Sequence, residues 1–190
     1  MRTLSLTAAL LLAIAGCGKD KPSSGGTEAD DLKTLGASKW GIAKIDSGDD
    51  KGPPAGFFDT LAIEVKGSLA IAKDDGQEKH GTLKLDPAKS PREIDITQAD
   101  KDGKPAGDGP DRPAETVKGI YKFEGDTIVI AVASPKVPRP TEFKAVAPEK
   151  GNSDSGVFVV TFKKISDDEA AKRGAPKPKP TFAIPSPKKN

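Results

Sequence analysis

The amino-acid sequence predicts an all-β protein, a single small antiparallel β-barrel of roughly eight strands with a flexible segment on either side. Apolar residues recur at every second position in short segments, which is the period of a strand with one buried face. The chain of 190 residues is long enough for one core. One-sided antiparallel strands must cover a shared interior, which a barrel or a sandwich provides, and we expect a lipocalin-like barrel.

Each strand is predicted from its alternation of apolar and polar residues. Trp40 opens the series, and after a hairpin at Gly67 we expect Leu69 and Ile71 to share a face with Ile63. A second hairpin is predicted where a Glu-Gly-Asp turn separates two apolar segments. The other residues expected on buried faces are Val65, Leu83, Leu85, Ile94, Ile96, Val117, Tyr121, Phe123, Ile128, Ile130, Val132, Phe158, Val160 and Phe162.

The predicted organisation has four parts. Residues 1–16 form a lipoprotein signal peptide, residues 17–31 a lipidated tether, and residues 32–165 the barrel. Residues 166–190 form a short helix followed by a basic tail. Ser166 and the acids after it have the composition of a helix N-terminus, and the stretch from Asp30 to Leu35 before the first strand could also be helical.

The N-terminus has the composition of an export signal. Arg2 precedes an apolar run over residues 4–14, which is shorter than the roughly 20 residues that a transmembrane helix needs. Ile14-Ala15-Gly16-Cys17 resembles the bacterial lipobox, in which the cysteine is lipidated and becomes the mature N-terminus. Because Cys17 is the one cysteine of the chain, we predict lipidation at Cys17 and a protein anchored to a membrane. Gly18 and Lys19 follow Cys17 directly, so no aspartate stands in the next two positions, which favours the periplasmic side of the outer membrane.

The C-terminal tail differs in charge from the rest of the chain. Residues 172–190 contain six cations, no acid and five prolines. Once these cations and Arg2 are subtracted from the formal +2, the remainder carries −5. Alternating prolines favour an extended arm, which either contacts anionic lipid headgroups or an anionic polymer, or only keeps the protein soluble. Aromatic residues are too few for a base-stacking platform, so no specific nucleic acid is expected as a partner.

The inventory of reactive side chains is small. One cysteine and one histidine exclude disulfides and Cys/His zinc sites, and no cofactor is expected apart from the covalent lipid. His80 lies among charged neighbours, which indicates an exposed position. Carboxylates such as Asp100 and Asp102 lie in Gly-rich loops, but Gly103 comes too early for the Asp-x-Asp-x-Asp-Gly frame of a calcium loop. We therefore expect no metal site, and an enzyme of hydrolase type that uses loop carboxylates is the weakest alternative.

Four sequence blocks stand in a characteristic order. They are Gly81-Thr82-Leu83-Lys84-Leu85-Asp86-Pro87, Ile94-Asp95-Ile96-Thr97, Gly119-Ile120-Tyr121-Lys122-Phe123-Glu124-Gly125-Asp126-Thr127 and Pro138-Arg139-Pro140-Thr141-Glu142-Phe143. As an ordered set, they resemble a domain family that is expanded in planctomycete bacteria and uncharacterised in function. Its opening Leu-x-Gly-x-Trp motif, similar to that of lipocalin-like barrels, is stretched here to Leu35-Gly36-Ala37-Ser38-Lys39-Trp40. The resemblance covers about residues 35–164 and implies a small barrel, without implying an activity.

Together these patterns predict a non-enzymatic, monomeric envelope protein that binds a small apolar ligand or an envelope partner. A barrel of roughly eight strands is just wide enough for packed side chains or for one small ligand. Candidate contacts are Trp40 and Tyr121 in the interior, with Arg139 and Glu142 after an extended segment. Arg139 is expected to pair with Glu142 or with a carboxylate at the barrel mouth, or to contact the ligand. An interior filled by aromatic residues would instead indicate a structural or protein-interaction module.

Overall fold

A computed structural model describes residues 26–49, 59–107, 109, 112–150 and 155–176. The predicted signal peptide, Cys17 and most of the basic tail lie outside these described residues. In chain order the elements are α1 (Glu28–Gly36), β1 (Lys39–Asp46), β2 (Ala62–Lys66), β3 (Leu69–Asp74), β4 (Gln77–Asp86), β5 (Arg92–Ala99), β6 (Thr116–Glu124), β7 (Thr127–Ala133), β8 (Val157–Ile165) and α2 (Asp167–Gly174).

The strands form a closed barrel in which each one pairs with its neighbours in sequence. The last strand, β8, closes the sheet by pairing antiparallel with β1, from Lys39 opposite Ile165 to Asp46 opposite Val159. A shift of register between residues 42 and 44 bends β1 at this seam. The strand order thus closes on itself, although β1 pairs with β2 only at Trp40 and Gly41, and the predicted single antiparallel barrel is confirmed.

Inward-facing residues follow the predicted alternation in most strands, and β3 is the exception. The two-residue turn between β2 and β3 pairs Lys66 with Leu69, so Val65 lies opposite Ala70. Leu69 and Ile71 therefore face outward, and the prediction that they share the inner face was wrong. Because the turn has two residues, the strand partner of Val65 is Ala70, five positions later. For Leu69 to share the face of Val65, that partner would have to lie four positions later. Alanines, not large aliphatic residues, consequently form the inner face of β3.

Helix α1 packs at one end of the barrel. It begins at Glu28, because Thr27 and Asp30 form a capping box in which each side chain accepts from the backbone amide of the other. Residues 28–31, which the sequence analysis assigned to the tether, are thus helical. Leu35 joins the barrel core, and the indole Nε1 of Trp40 donates to the Leu35 carbonyl at 2.9 Å.

Two further layers cover parts of the outer surface. Helix α2 starts after the predicted N-cap Ser166, and it buries Ala170 against Ala62 and Ile165. The segment between β7 and β8 covers a second patch, where Val137 and Phe143 pack against Ile120, Ala131, Ala133, Val157 and Val159. These contacts explain why several strands carry apolar residues on both faces.

Candidate functional site

The barrel interior contains a cavity of about 290 Å³ to which all eight strands contribute. Leu35, Trp40 and Tyr121 line it at the end nearest α1, so the two aromatic side chains predicted for the interior lie there. Its wall is otherwise mostly aliphatic. The wall residues from the strands include Ile63, Val65, Ala70, Ala72, Leu83, Ile94, Ile96, Val117, Ile128, Ile130 and Phe162.

The cavity exists because one arc of the barrel carries small side chains. Strand β3 contributes Ala70 and Ala72, and Gly81 of β4 lies opposite Ala70. Leucine or isoleucine at these positions would occupy the same space. A dry engineered cavity of about 150 Å³ binds benzene, so by proportion this interior accommodates about twelve non-hydrogen atoms. The volume therefore suits one small ligand.

Polar side chains line the cavity at the end opposite α1, which we call the mouth. They are Lys79 of β4, Gln98 of β5 and Glu115, which directly precedes β6, and His80 next to Lys79 also borders the cavity. The Oε1 atom of Gln98 accepts a hydrogen bond from the backbone amide of Glu115 at 3.3 Å. The cavity thus has an apolar body and a polar rim, which is the usual composition of a small-molecule site. Sequence analysis missed this rim, although the alternation of Lys79 with Gly81 and Leu83 was a signal for it.

The opposite end contains a buried polar cluster that joins α1 to the barrel, which we call the latch. The hydroxyl of Tyr121 donates to Oδ2 of Asp31 at 2.5 Å. The Arg92 guanidinium donates to both oxygens of the same carboxylate, at 2.9 Å and 3.1 Å. Burial, and then the neighbouring Asp31 carboxylate, raise the pKa of Tyr121 far above its ordinary value of 10.0. The phenol therefore stays protonated and the carboxylate is fully paired, so the latch holds α1 in place rather than supplying a reactive group.

Arg139 lies on the outer wall, where it joins β5 to β6. Its Nη1 donates to the carbonyls of Ile94 at 2.9 Å and Gly119 at 2.7 Å. Its remaining nitrogens contact Asp95 at 2.7 Å and Glu93 at 3.3 Å. The expected ion pair of Arg139 is therefore present, but the prediction of Glu142 as its partner was wrong, because outward residues of β5 supply both carboxylates.

Of the other residues that the sequence analysis singled out, His80 borders the cavity and Glu142 does not. Glu142 is exposed on the segment that covers the outer surface. His80 is half-buried rather than exposed, and its Nε2 lies 3.8 Å from a carboxylate oxygen of Glu78. Among the described residues there is no group of three or more His, Cys, Asp or Glu side chains that could hold a metal ion.

The chain matches no protein-family model, no curated protein and no solved structure. The resemblance to the planctomycete family therefore stays a prediction. In the part of the chain that the structure describes, none of the helices has the length and apolar character needed to cross a bilayer.

Proposed function

We propose that this protein is a lipid-anchored, non-enzymatic component of the bacterial cell envelope that binds one small apolar ligand inside its barrel. The cavity of about 290 Å³ is the observation that supports ligand binding. A protein with a purely structural role gains stability from a filled interior, at about 0.8 kcal/mol for each buried methylene. The small residues Ala70, Ala72 and Gly81 leave the interior unfilled and so do not provide this stabilisation. Their presence favours a binding role over the alternative of a structural module.

The side chains around the cavity favour binding over catalysis. The Asp31 carboxylate is held by Tyr121 and Arg92, and Glu115 is the single carboxylate that lines the cavity among the described residues. Glycosidase-type and related acid-base hydrolysis needs two carboxyl groups facing one reacting bond. The described lining offers no such pair, so we assign the interior to binding.

Ligand binding is tested by filling the cavity. Because Trp40 is the only tryptophan, quenching of its emission by a bromoalkanol reports entry of that ligand. We expect saturable quenching of Trp40 emission in the full-length chain in lipid nanodiscs. In Ala72→Leu we expect much weaker binding of the bromoalkanol, because the longer side chain occupies the cavity. The matched control is Ala88→Leu, which adds the same atoms at an exposed turn and leaves quenching unchanged. Quenching that Ala72→Leu leaves intact, in a variant with an unchanged circular dichroism spectrum, would rule out binding inside the barrel.

The membrane anchor is tested separately. Metabolic labelling with a fatty-acid analogue is expected to mark the wild-type protein, and Cys17→Ser is expected to abolish the label and release the protein from membrane fractions. Cys17 precedes the described residues, so this substitution leaves the barrel itself untouched. Persistent labelling of Cys17→Ser would contradict the assignment of the anchor.

A further inference from the structure

We infer that the ligand of this cavity is an amphiphile with one apolar chain and an anionic head, and that Lys79 binds the head at the mouth. The inference rests on the proposed function, because it names the ligand class for the same cavity. It starts from the polar rim, where Lys79, Gln98 and Glu115 border a mostly apolar space, with His80 next to Lys79.

The register of β3 and β4 places Lys79 on the inner face. Lys79 lies opposite Ala72, and two residues later Gly81 lies opposite Ala70. All four residues line the cavity, so the stem of Lys79 follows the inner wall at the mouth. Among the described residues, Lys79 has no ion-pair partner, whereas Lys73 and Lys66 on nearby strands do. Its ammonium group is therefore available to an anion.

Gln98 provides a second hydrogen-bond donor next to Lys79. It lies opposite Gly81 on β5, which makes it the diagonal neighbour of Lys79 at about 7–8 Å between Cα atoms. The carbonyl oxygen of its side chain already accepts from the backbone amide of Glu115. The remaining polar group of the Gln98 side chain is its NH₂, which donates. A carboxylate can accept from the ammonium and the amide together, whereas a cationic head can pair with neither.

Glu115 bears the opposite charge and lies one strand further along the rim, beyond Gln98. It disfavours an anion, so the two charges of the rim make opposite contributions to the binding of an anionic head. Removing Lys79 should therefore weaken binding, and removing the charge of Glu115 should strengthen it. These opposite signs distinguish specific recognition from a general loss of fit.

The size of the cavity sets the chain length. Space for about twelve non-hydrogen atoms corresponds to decanoate, with the methyl end near Trp40 and the carboxylate at the mouth. Decanol has nearly the same shape without the charge. Decylammonium has the same chain with the opposite charge.

The experiment measures the dissociation constants of decanoate, decanol and decylammonium by displacement of the bromoalkanol from the full-length chain. We expect decanoate to bind most tightly. Because Lys79 is exposed, Lys79→Met should weaken the binding of decanoate by about 1.4-fold to fivefold, the range of an exposed ion pair, without changing the binding of decanol. Glu115→Gln should strengthen decanoate to a similar extent. The matched control is Lys84→Met, an exposed lysine on the same strand, which should change neither constant.

The possible failures are distinguishable. Equal affinities for decanoate and decanol, with no effect of Lys79→Met, would overturn the anionic head and leave the apolar site standing. Preference for decylammonium, lost in Glu115→Gln, would overturn it in favour of a cationic head. Absence of displacement by all three compounds would overturn the proposed function as well.

Discussion

Replacing Tyr121 with phenylalanine removes one oxygen atom from the latch and leaves the ring in the core. The lost hydrogen bond is the one to the Asp31 carboxylate, at 2.5 Å. A hydrogen bond to a charged group contributes about 1.5–3 kcal/mol, and Asp31 keeps its two contacts with Arg92. We therefore expect Tyr121→Phe to lower the free energy of unfolding by about 1.5–3 kcal/mol. For a domain of this size, that corresponds to a melting temperature lower by roughly 3–12 °C.

Urea unfolding followed by Trp40 emission measures this loss directly. Trp40 donates to the Leu35 carbonyl in α1, so its emission reports whether the helix is docked. A double-mutant cycle with Asp31→Asn then isolates the pair, and we expect a coupling of about 1–3 kcal/mol. A coupling below about 0.5 kcal/mol, with m-values unchanged, would refute the view that this hydrogen bond holds α1 in place.

The same variant predicts an alkaline signature. Burial and the Asp31 carboxylate raise the pKa of Tyr121 above its ordinary value of 10.0. Below that pH the phenol is protonated in both states and its contribution is complete. Above about pH 10 the unfolded chain loses this proton while the folded protein keeps it, so stability falls by about 1.4 kcal/mol per pH unit. Tyr121→Phe has no phenol at this position and therefore lacks this pH-dependent loss of stability. The difference in the free energy of unfolding between wild type and variant should therefore become smaller above pH 10.

Four further substitutions test the barrel wall and α2. In Gly119→Ala the new Cβ would lie 2.5 Å from the Ala131 carbonyl oxygen, so we expect the free energy of unfolding in urea to fall by about 1–3 kcal/mol. In Gly81→Ala the nearest atom to the new Cβ is the Thr97 carbonyl oxygen at 3.3 Å, so we expect a smaller decrease. A larger decrease in Gly81→Ala than in Gly119→Ala would contradict the close contact between Gly119 and the Ala131 carbonyl. Arg139→Lys keeps the charge but cannot make all four contacts, so its melting temperature should fall by several degrees, and an unchanged value would show that the contacts contribute little. Ser166→Ala removes the N-cap of α2 and should lower stability by about 1 kcal/mol, seen as faster amide exchange in that helix alone.

The architecture was predictable because alternation is a local property. In β6 and β7, for example, the sequence alone placed Tyr121, Ile128 and Ile130 on the inner face, as the structure confirms. The N-cap of α2 was equally local, since Ser166 and the following acids are adjacent in the chain. Among the strands, the face of β3 was assigned wrongly, because the alternation restarts after a turn and its phase depends on the turn length.

The site was less predictable because its contacts join distant parts of the chain. The Tyr121 hydroxyl reaches Asp31 across 90 positions, and Arg139 reaches the Ile94 carbonyl across 45. No periodicity specifies such pairs. The cavity volume depends on the sum of side-chain volumes around the barrel. The alanines of β3 therefore do not predict a cavity by themselves, because the larger residues of the other strands could fill the same space.

The seam between β1 and β8 has a consequence for how the protein folds. Lys39 and Ile165 pair although they lie near opposite ends of the domain, so the sheet cannot close until nearly the whole domain has been synthesised. Until then β1 has an open edge, which is a hazard for aggregation. Contacts of such long sequence separation slow folding, because much chain entropy is lost before they form. We therefore expect refolding in milliseconds to seconds rather than microseconds, with the free edge of β1 exposed throughout that time.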